Sequence, residues 1–180
     1  MGKKVVGLAV LLLIGAGLSM FIYSITKNKI VIGYNKGYAP EQPISFPHDL
    51  HAGQYTIDCK YCHSQVETTR HATVPSLNVC MNCHLGVQVK PESQKWIDKI
   101  TEAYNKGESI VWQKVHLLPD FVRFNHSAHI KAGKSCTECH GPVETMPVMY
   151  QFQSLSMGFC VNCHRLPENN APLNCSTCHY

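Results

Sequence analysis

The chain has little of the material from which a hydrophobic core is built. After residue 25 the 180-residue sequence contains no long apolar run, and aromatic residues make up 9% of the whole. The part that follows residue 25 is long enough for one domain, but glycine, proline, asparagine and lysine interrupt it throughout. Such a chain cannot build a large core from side chains alone. We therefore expect another apolar component in its interior.

Clusters of basic residues are also missing. Lysine and arginine number 16 against 12 acidic residues, which gives a formal net charge of +4, and the basic residues are scattered along the chain. Nucleic-acid-binding domains concentrate lysine and arginine on one face or helix. The sequence therefore predicts no nucleic acid partner.

No cysteine lies outside a C-x-x-C-H motif. The ten cysteines form five such motifs, numbered first to fifth in chain order: Cys59-Cys62-His63, Cys80-Cys83-His84, Cys136-Cys139-His140, Cys160-Cys163-His164 and Cys175-Cys178-His179. C-x-x-C-H is typical of c-type haem attachment. Residues i, i+3 and i+4 share one face of a helix, so two thioether bonds and one axial imidazole can reach the same porphyrin. We predict five covalently bound haems c that supply the missing core, and an apoprotein that is largely unfolded.

Zinc sites, redox-active thiol pairs and disulfides are the alternatives for any single C-x-x-C. Zinc ribbons use these pairs two at a time, whereas this chain has five. Zinc also has no need of a histidine directly after every second cysteine. The pattern therefore favours haem over zinc or disulfides.

Residues 5–25 form one uncharged run of 21 residues. As a helix it would span about 32 Å, close to the roughly 30 Å hydrocarbon core of a membrane. The run is longer than the apolar part of a signal peptide, and no good cleavage site follows it. We predict an uncleaved single-pass anchor in the cytoplasmic membrane. Lys3 and Lys4 slightly favour a cytoplasmic N-terminus, and because c-type haems are attached outside the cytoplasm, the haem domain is expected in the periplasm.

An internal duplication organises the rest of the chain. Each copy has an F-x-H-x-x-H segment, at residues 46–51 and 124–129, followed by two haem motifs. Repeated sequence indicates a repeated structural unit, here a two-haem module. We predict a transmembrane anchor (1–29), a connector (30–45), a first two-haem module (46–84), an interdomain helix and linker (85–118), and a second module with three haems (119–180). The fold class predicted is one N-terminal transmembrane helix plus a domain of short α-helices and loops wrapped around haems.

One longer helix is predicted between the modules. Pro91 suits a first turn, Gly107 suits a C-terminal stop, and Trp96, Ile97, Ile100 and Tyr104 form an apolar stripe at helical spacing. The stripe is interpreted as a face of the core.

The iron ligands are predicted from the eleven histidines. The five motif histidines (His63, His84, His140, His164 and His179) are the proximal ligands. F-x-H-x-x-H places two imidazoles one turn apart, so His48, His51, His126 and His129 are predicted as distal ligands of neighbouring haems. His71 and His116 are either further distal ligands or hydrogen-bonding residues. Met146 and Met157 are the remaining candidates, because a methionine ligand would raise the potential of one haem, although methionine also fills gaps around cofactors.

The two F-x-H-x-x-H modules resemble class III (c3/c7-type) multihaem cytochromes. Four stretches and Met146-Pro more closely resemble the pentahaem subunit of bacterial alternative complex III: HATVPS (71–76), VCMNCH (79–84), VHLLPDFVRFNHSAH (115–129) and LSMGFCVNCHR (155–165). The resemblance covers residues 44–180 and the anchor. It implies electron relay in a quinol-oxidising respiratory complex, from an iron–sulfur subunit to a monohaem cytochrome c or terminal oxidase, with quinol bound by partner membrane subunits.

Two other electron-transfer functions stay open. One is a NapC/NirT-like quinol dehydrogenase, which also has one anchor and several haems, although the duplicated module and the interdomain helix weigh against it. The other is a multihaem reductase with an open haem. An open haem requires an iron without a sixth ligand, whereas this chain has more spare histidines and methionines than its haems need. The C-x-x-C-K motif of such reductases is also absent.

Overall fold

The computed structural model describes residues 2–27 and 34–180. Contacts divide the chain into two compact units, Met1–Val31 and Ile32–Tyr180. Both predicted modules therefore lie in the same unit. Part of the predicted connector, including Gly33, and Lys29 of the predicted anchor lie outside the described residues.

The first unit contains helix α1, Lys3–Lys27. Its segment Val5–Ser24 has a mean hydropathy of 2.6, and none of it is buried. This helix is long and apolar enough to cross a membrane, as predicted from residues 5–25.

The second unit consists of short helical segments and loops, and the described residues contain no β-strand. The α-helices are α2 (Cys59–Cys62), α3 (Leu77–His84), α4 (Pro91–Lys106), α5 (His126–Lys131), α6 (Cys136–His140) and α7 (Met157–His164). A π-helical turn covers Asp49–Gln54, and 3₁₀ turns cover Val143–Thr145, Pro167–Asn169 and Cys175–Thr177. The prediction of short helices and loops is confirmed.

Helix α4 has the predicted bounds. Pro91 occupies its first turn, and Gly107 ends it in the left-handed conformation with φ 69°. One detail of the predicted stripe is wrong: Tyr104 is 37% exposed, whereas Ala103 is buried. The buried face is narrower than the stripe suggested, because Ala103 and not the bulkier tyrosine lies against the core.

The hydrophobic core is small. Among the described residues, only Ile44, Val66, Met81, Ile100, Ala103 and Met146 are buried apolar side chains. One cluster of Ile44, Met81 and Ile100 joins α3 to α4, with Trp96 and Trp112 packed against it. A unit of this length ordinarily buries many more.

Candidate functional site

Every C-x-x-C-H motif lies on one turn of helix. In chain order, the motifs lie at α2, the C-terminal half of α3, α6, the C-terminal half of α7, and the 3₁₀ turn Cys175–Thr177. The ten cysteines form no disulfide with one another. The common face for two cysteines and one histidine stays a prediction, since α2 ends at Cys62 and the last 3₁₀ turn ends at Thr177, before the histidines of those two motifs.

Short polar side chains begin these turns. Asp58 accepts from the backbone N–H of Lys60, Ser156 accepts from that of Phe159, and Ser135 with Glu138 forms a capping box. A cap of this kind stabilises a helix by about 1 kcal/mol. The motif turns are too short to be stable alone, so caps and tertiary contacts hold the cysteines in position.

Three pairs of histidine rings face each other across a gap. The ring centres are 6.2 Å apart for His51 and His84 and 5.9 Å apart for His129 and His164. They are 6.4 Å apart for His126 and His140, whose planes are nearly parallel. In each pair one ring comes from an F-x-H-x-x-H segment and the other from a motif.

These separations suit a shared metal ion. A metal–imidazole bond is about 2 Å long, so two imidazoles on opposite sides of one metal have ring centres roughly 6 Å apart. Direct stacking would bring the centres closer, as it does for Phe46 and His51 at 4.3 Å. The pairing also follows the repeat, because the second histidine of each F-x-H-x-x-H segment faces the second motif of its own module.

The Nδ1 atoms of six candidate ligand histidines are occupied by backbone carbonyls. The Nδ1 of His63 donates to Thr73 O (2.6 Å), that of His164 to Pro172 O (2.8 Å) and that of His179 to Phe121 O (3.0 Å). The F-x-H-x-x-H rings do the same: His51 donates to Pro47 O, His126 to Arg70 O and His129 to Asn125 O. A hydrogen bond at Nδ1 leaves Nε2 as the unprotonated nitrogen that binds a metal.

Comparison with known proteins agrees with this chemistry. A family described as cytochrome c7 and related cytochrome c matches residues 122–180. The multihaem cytochrome c subunit of menaquinone reductase from Nitratidesulfovibrio vulgaris (strain Hildenborough) is 30% identical over 164 residues, which cover 77% of each chain. The chain belongs to the multihaem cytochrome c family. Covalently bound haem c is the cofactor that this family implies.

The residues present fit haem c. Each motif of this multihaem cytochrome offers two thiols beside one imidazole, and three of the motif imidazoles face a second imidazole. The Nδ1 atoms of His48 and His84 depart from the carbonyl pattern, because they are buried without a hydrogen-bond partner.

Burial favours the neutral form of three candidate ligands. It lowers the pKa of His140 to about 3, with a further lowering by the charges of His116, His126 and His63. Burial likewise lowers the pKa of His48 and of His116 to about 4. Neutral imidazole is the form that binds iron, so these environments favour coordination at all ordinary pH.

The phenylalanine of each F-x-H-x-x-H segment orients both of its histidines. Phe46 stacks on His51 and contacts the ring of His48 edge-on, with centres 4.9 Å apart. Phe124 stacks on His129 at 4.4 Å and meets His126 edge-on at 4.8 Å. Both phenylalanines recur with the histidines in the sequence repeat, and that recurrence is the signal from which their role could have been predicted.

The other candidate iron ligands lie outside the three facing pairs of histidine rings. His48 begins the π-helical turn close enough to His63 to be affected by its charge. His71 is near His126 by the same criterion. Met146 is 2% exposed and Met157 is 69% exposed. The ring of His179 contacts that of Phe121. No distal ligand is assigned to the fifth motif.

The two modules contact each other through their first motifs. The backbone N–H of Asp49 donates to Met146 O at 3.1 Å, and the N–H groups of His126 and Ser127 donate to Arg70 O and Thr69 O. Burial raises the pKa of the Cys59 thiol, and Cys136 in the other module raises it further. The first and third motifs are therefore neighbours.

The pKa shifts of three other cysteine thiols identify the remaining neighbouring motifs in the same way. Burial and then Cys80 raise the pKa of Cys62, which places the second motif beside the first. Burial, Glu138 and then Cys163 raise the pKa of Cys139, and burial and then Cys178 raise that of Cys160. The motifs thus adjoin one another in the order second, first, third, fourth, fifth.

Proposed function

We propose that this protein carries five haems as one continuous line and relays electrons within a membrane-bound, quinone-linked respiratory complex. The observation that carries the proposal is the order of neighbouring motifs. Cys80 lies near enough to Cys62 to raise its pKa, and the same holds for Cys136 on Cys59, Cys163 on Cys139 and Cys178 on Cys160. Every motif has at least one neighbour, and none is isolated. A line of adjacent one-electron centres suits conduction and offers two ends for two partners.

The proposed ligand sets follow the paired rings. His84 with His51, His140 with His126, and His164 with His129 hold the second, third and fourth haems, and His63 with His48 holds the first. Haem c supplies reversible one-electron oxidation and reduction of iron when bound. The chain itself positions the imidazoles, fixes their tautomers through carbonyl hydrogen bonds, and surrounds the centres with protein. With two imidazoles each, these four irons would have no coordination position left for a substrate.

The membrane side of the proposal rests on α1. Its Val5–Ser24 segment can cross a membrane once, with the haem domain in the periplasm. Quinone would then be bound by partner membrane subunits rather than by this chain. An iron–sulfur subunit at one end of the line and a monohaem cytochrome c or terminal oxidase at the other are the partners we propose, as in alternative complex III.

The direction of electron flow has two candidates. In an alternative complex III-like role, menaquinol is the donor and the periplasmic acceptor is reduced. The name of the similar protein from Nitratidesulfovibrio vulgaris, a menaquinone reductase subunit, favours the opposite role, in which a periplasmic donor reduces menaquinone through the same line. Both roles use the same relay, and they differ in the partner that supplies electrons.

Rapid mixing of the oxidised complex, purified from native membranes with its subunits identified by mass spectrometry, tests the proposal. A menaquinol analogue should reduce the haems in the complex but not in the isolated chain. Reduction of the isolated chain would instead support a NapC/NirT-like quinol dehydrogenase. Rapid carbon monoxide binding to the reduced wild-type protein would support a reductase with an open haem. If menaquinol never reduces the complex but its reduced haems are oxidised by menaquinone, the direction is that of a menaquinone reductase.

A further inference from the structure

His140 differs from the other motif histidines in what its Nδ1 contacts. Where His63, His164 and His179 donate to backbone carbonyls, the Nδ1 of His140 lies 3.1 Å from the Nε2 of His116. The two rings meet edge-on, with centres 4.4 Å apart and planes at 80°. A second side chain therefore takes the position that a backbone carbonyl occupies at three other motifs.

The protonation state of this pair follows from the geometry. His140 faces His126 across the gap of the third motif, so its Nε2 is the nitrogen available to iron. A neutral imidazole has one N–H and one unprotonated nitrogen, so the proton of His140 is on Nδ1. The Nε2 of His116 must then accept that proton in a hydrogen bond. A nitrogen used in this way, behind the ring of His140, is not available to the same iron.

We propose that His116 is a positioning residue for the third haem, which accepts a hydrogen bond from the proximal ligand His140 and so lowers the reduction potential of that haem. The proposal rests on haem attachment at the third motif but not on any role in quinone chemistry. Hydrogen bonding at the outer nitrogen of a ligating histidine fixes its orientation and raises its basicity. A more basic ligand favours ferric over ferrous iron, which is the physical reason for the lower potential.

The surrounding segment supports a positioning role. His116 and Phe121 both lie between α4 and α5, and the carbonyl of Phe121 accepts the Nδ1–H of His179. Arg123 in the same segment donates from its backbone N–H to Cys178 O and from Nε to Tyr180 O. This one segment therefore contacts both the third and the fifth motif, so it can position the ligand histidines of two haems.

Two substitutions separate the proposal from the distal-ligand role, which the sequence left open as the alternative for His116. His116→Leu removes the acceptor, and His116→Gln keeps an acceptor on a similar side chain. Gln113→Leu, at an exposed position of the same segment, is the matched control. The purified full-length chain is examined by electron paramagnetic resonance for low-spin centres and by redox titration. No quinone or partner protein is present, so the test of His116 stays valid even if the proposed role in a quinone-linked complex is wrong.

We expect His116→Leu to keep every low-spin centre and to shift one centre upward in potential while the others stay in place. His116→Gln and the control should titrate as the wild type does. Conversion of one haem to a high-spin form in either His116 variant would overturn the proposal and make His116 an iron ligand. An unshifted titration of His116→Leu would also overturn it. If the leucine variant fails to fold, the glutamine variant decides between the two roles: low-spin haems with unshifted potentials support the proposal, and a high-spin or shifted haem contradicts it.

Discussion

Gly53→Ala tests the contact between the two modules. Gly53 lies in the π-helical turn, and a Cβ at this position would be 2.3 Å from the backbone oxygen of Glu144 and 3.4 Å from its carbonyl carbon. An ordinary carbon–oxygen contact is about 3.3–3.6 Å, so the two segments would have to separate by roughly 1 Å. The obstacle is main chain, which cannot move aside as a flexible side chain can.

The cost can be worked out from this geometry. Overpacking of this kind costs about 1–3 kcal/mol. Gly53 lacks the left-handed φ that would add a penalty for alanine, so alanine also recovers about 0.4–1 kcal/mol by restricting the unfolded chain. A net loss of about 1–2 kcal/mol is expected, and the midpoint of thermal unfolding should fall by roughly 2–8 °C for a unit of this size.

The assay is thermal unfolding of the oxidised haem-loaded protein, followed by circular dichroism in the far-ultraviolet and Soret regions. Gly86→Ala is the matched control, because a Cβ there has no atom within 4 Å, and its unfolding free energy should change by less than about 0.5 kcal/mol. If Gly53→Ala and Gly86→Ala have the same midpoint at equal haem content, the two modules do not approach as closely as the structure has them.

Three further predictions follow from the site and the anchor. His51→Ala removes the ring that faces His84, so one haem should become five-coordinate and bind carbon monoxide rapidly; an unchanged low-spin count would contradict the pairing. Phe124→Leu removes the contacts with both His126 and His129, and it should cost about 1–3 kcal/mol of stability while altering two low-spin signals in electron paramagnetic resonance. A chain in which residues 2–27 are replaced by a cleavable secretory signal should appear in the soluble periplasmic fraction with its haems attached, and its retention in washed membranes would show that α1 is not the anchor.

The sequence was sufficient wherever a short segment carries its own signal. C-x-x-C-H requires a helical turn, and all five motifs have one. Helix α4 begins at Pro91 and ends before Gly107, because a proline in the first turn and a glycine at the C-terminus act locally. The repeat also predicts four histidines as distal ligands, but the motif that each ring faces is visible only in the fold.

Long-range contacts could not be predicted in this way. The adjacency of the first and third motifs depends on main-chain hydrogen bonds such as that from Asp49 to Met146, and any residue except proline can donate such a bond. The carbonyls of Thr73, Arg70 and Pro172 that accept from ligand histidines have no sequence signal for the same reason. His116 was recognised as a candidate, but only the fold shows that its Nε2 faces the Nδ1 of His140.

Haem counting on the purified full-length chain tests the central claim most directly. Haem iron per chain is measured by haemochrome absorbance and metal analysis, and free thiols are measured by alkylation of the denatured protein. The account predicts five haem irons per chain and no alkylated cysteine among the ten. Fewer than five irons, or thiols free to react in any of the motifs, would contradict it.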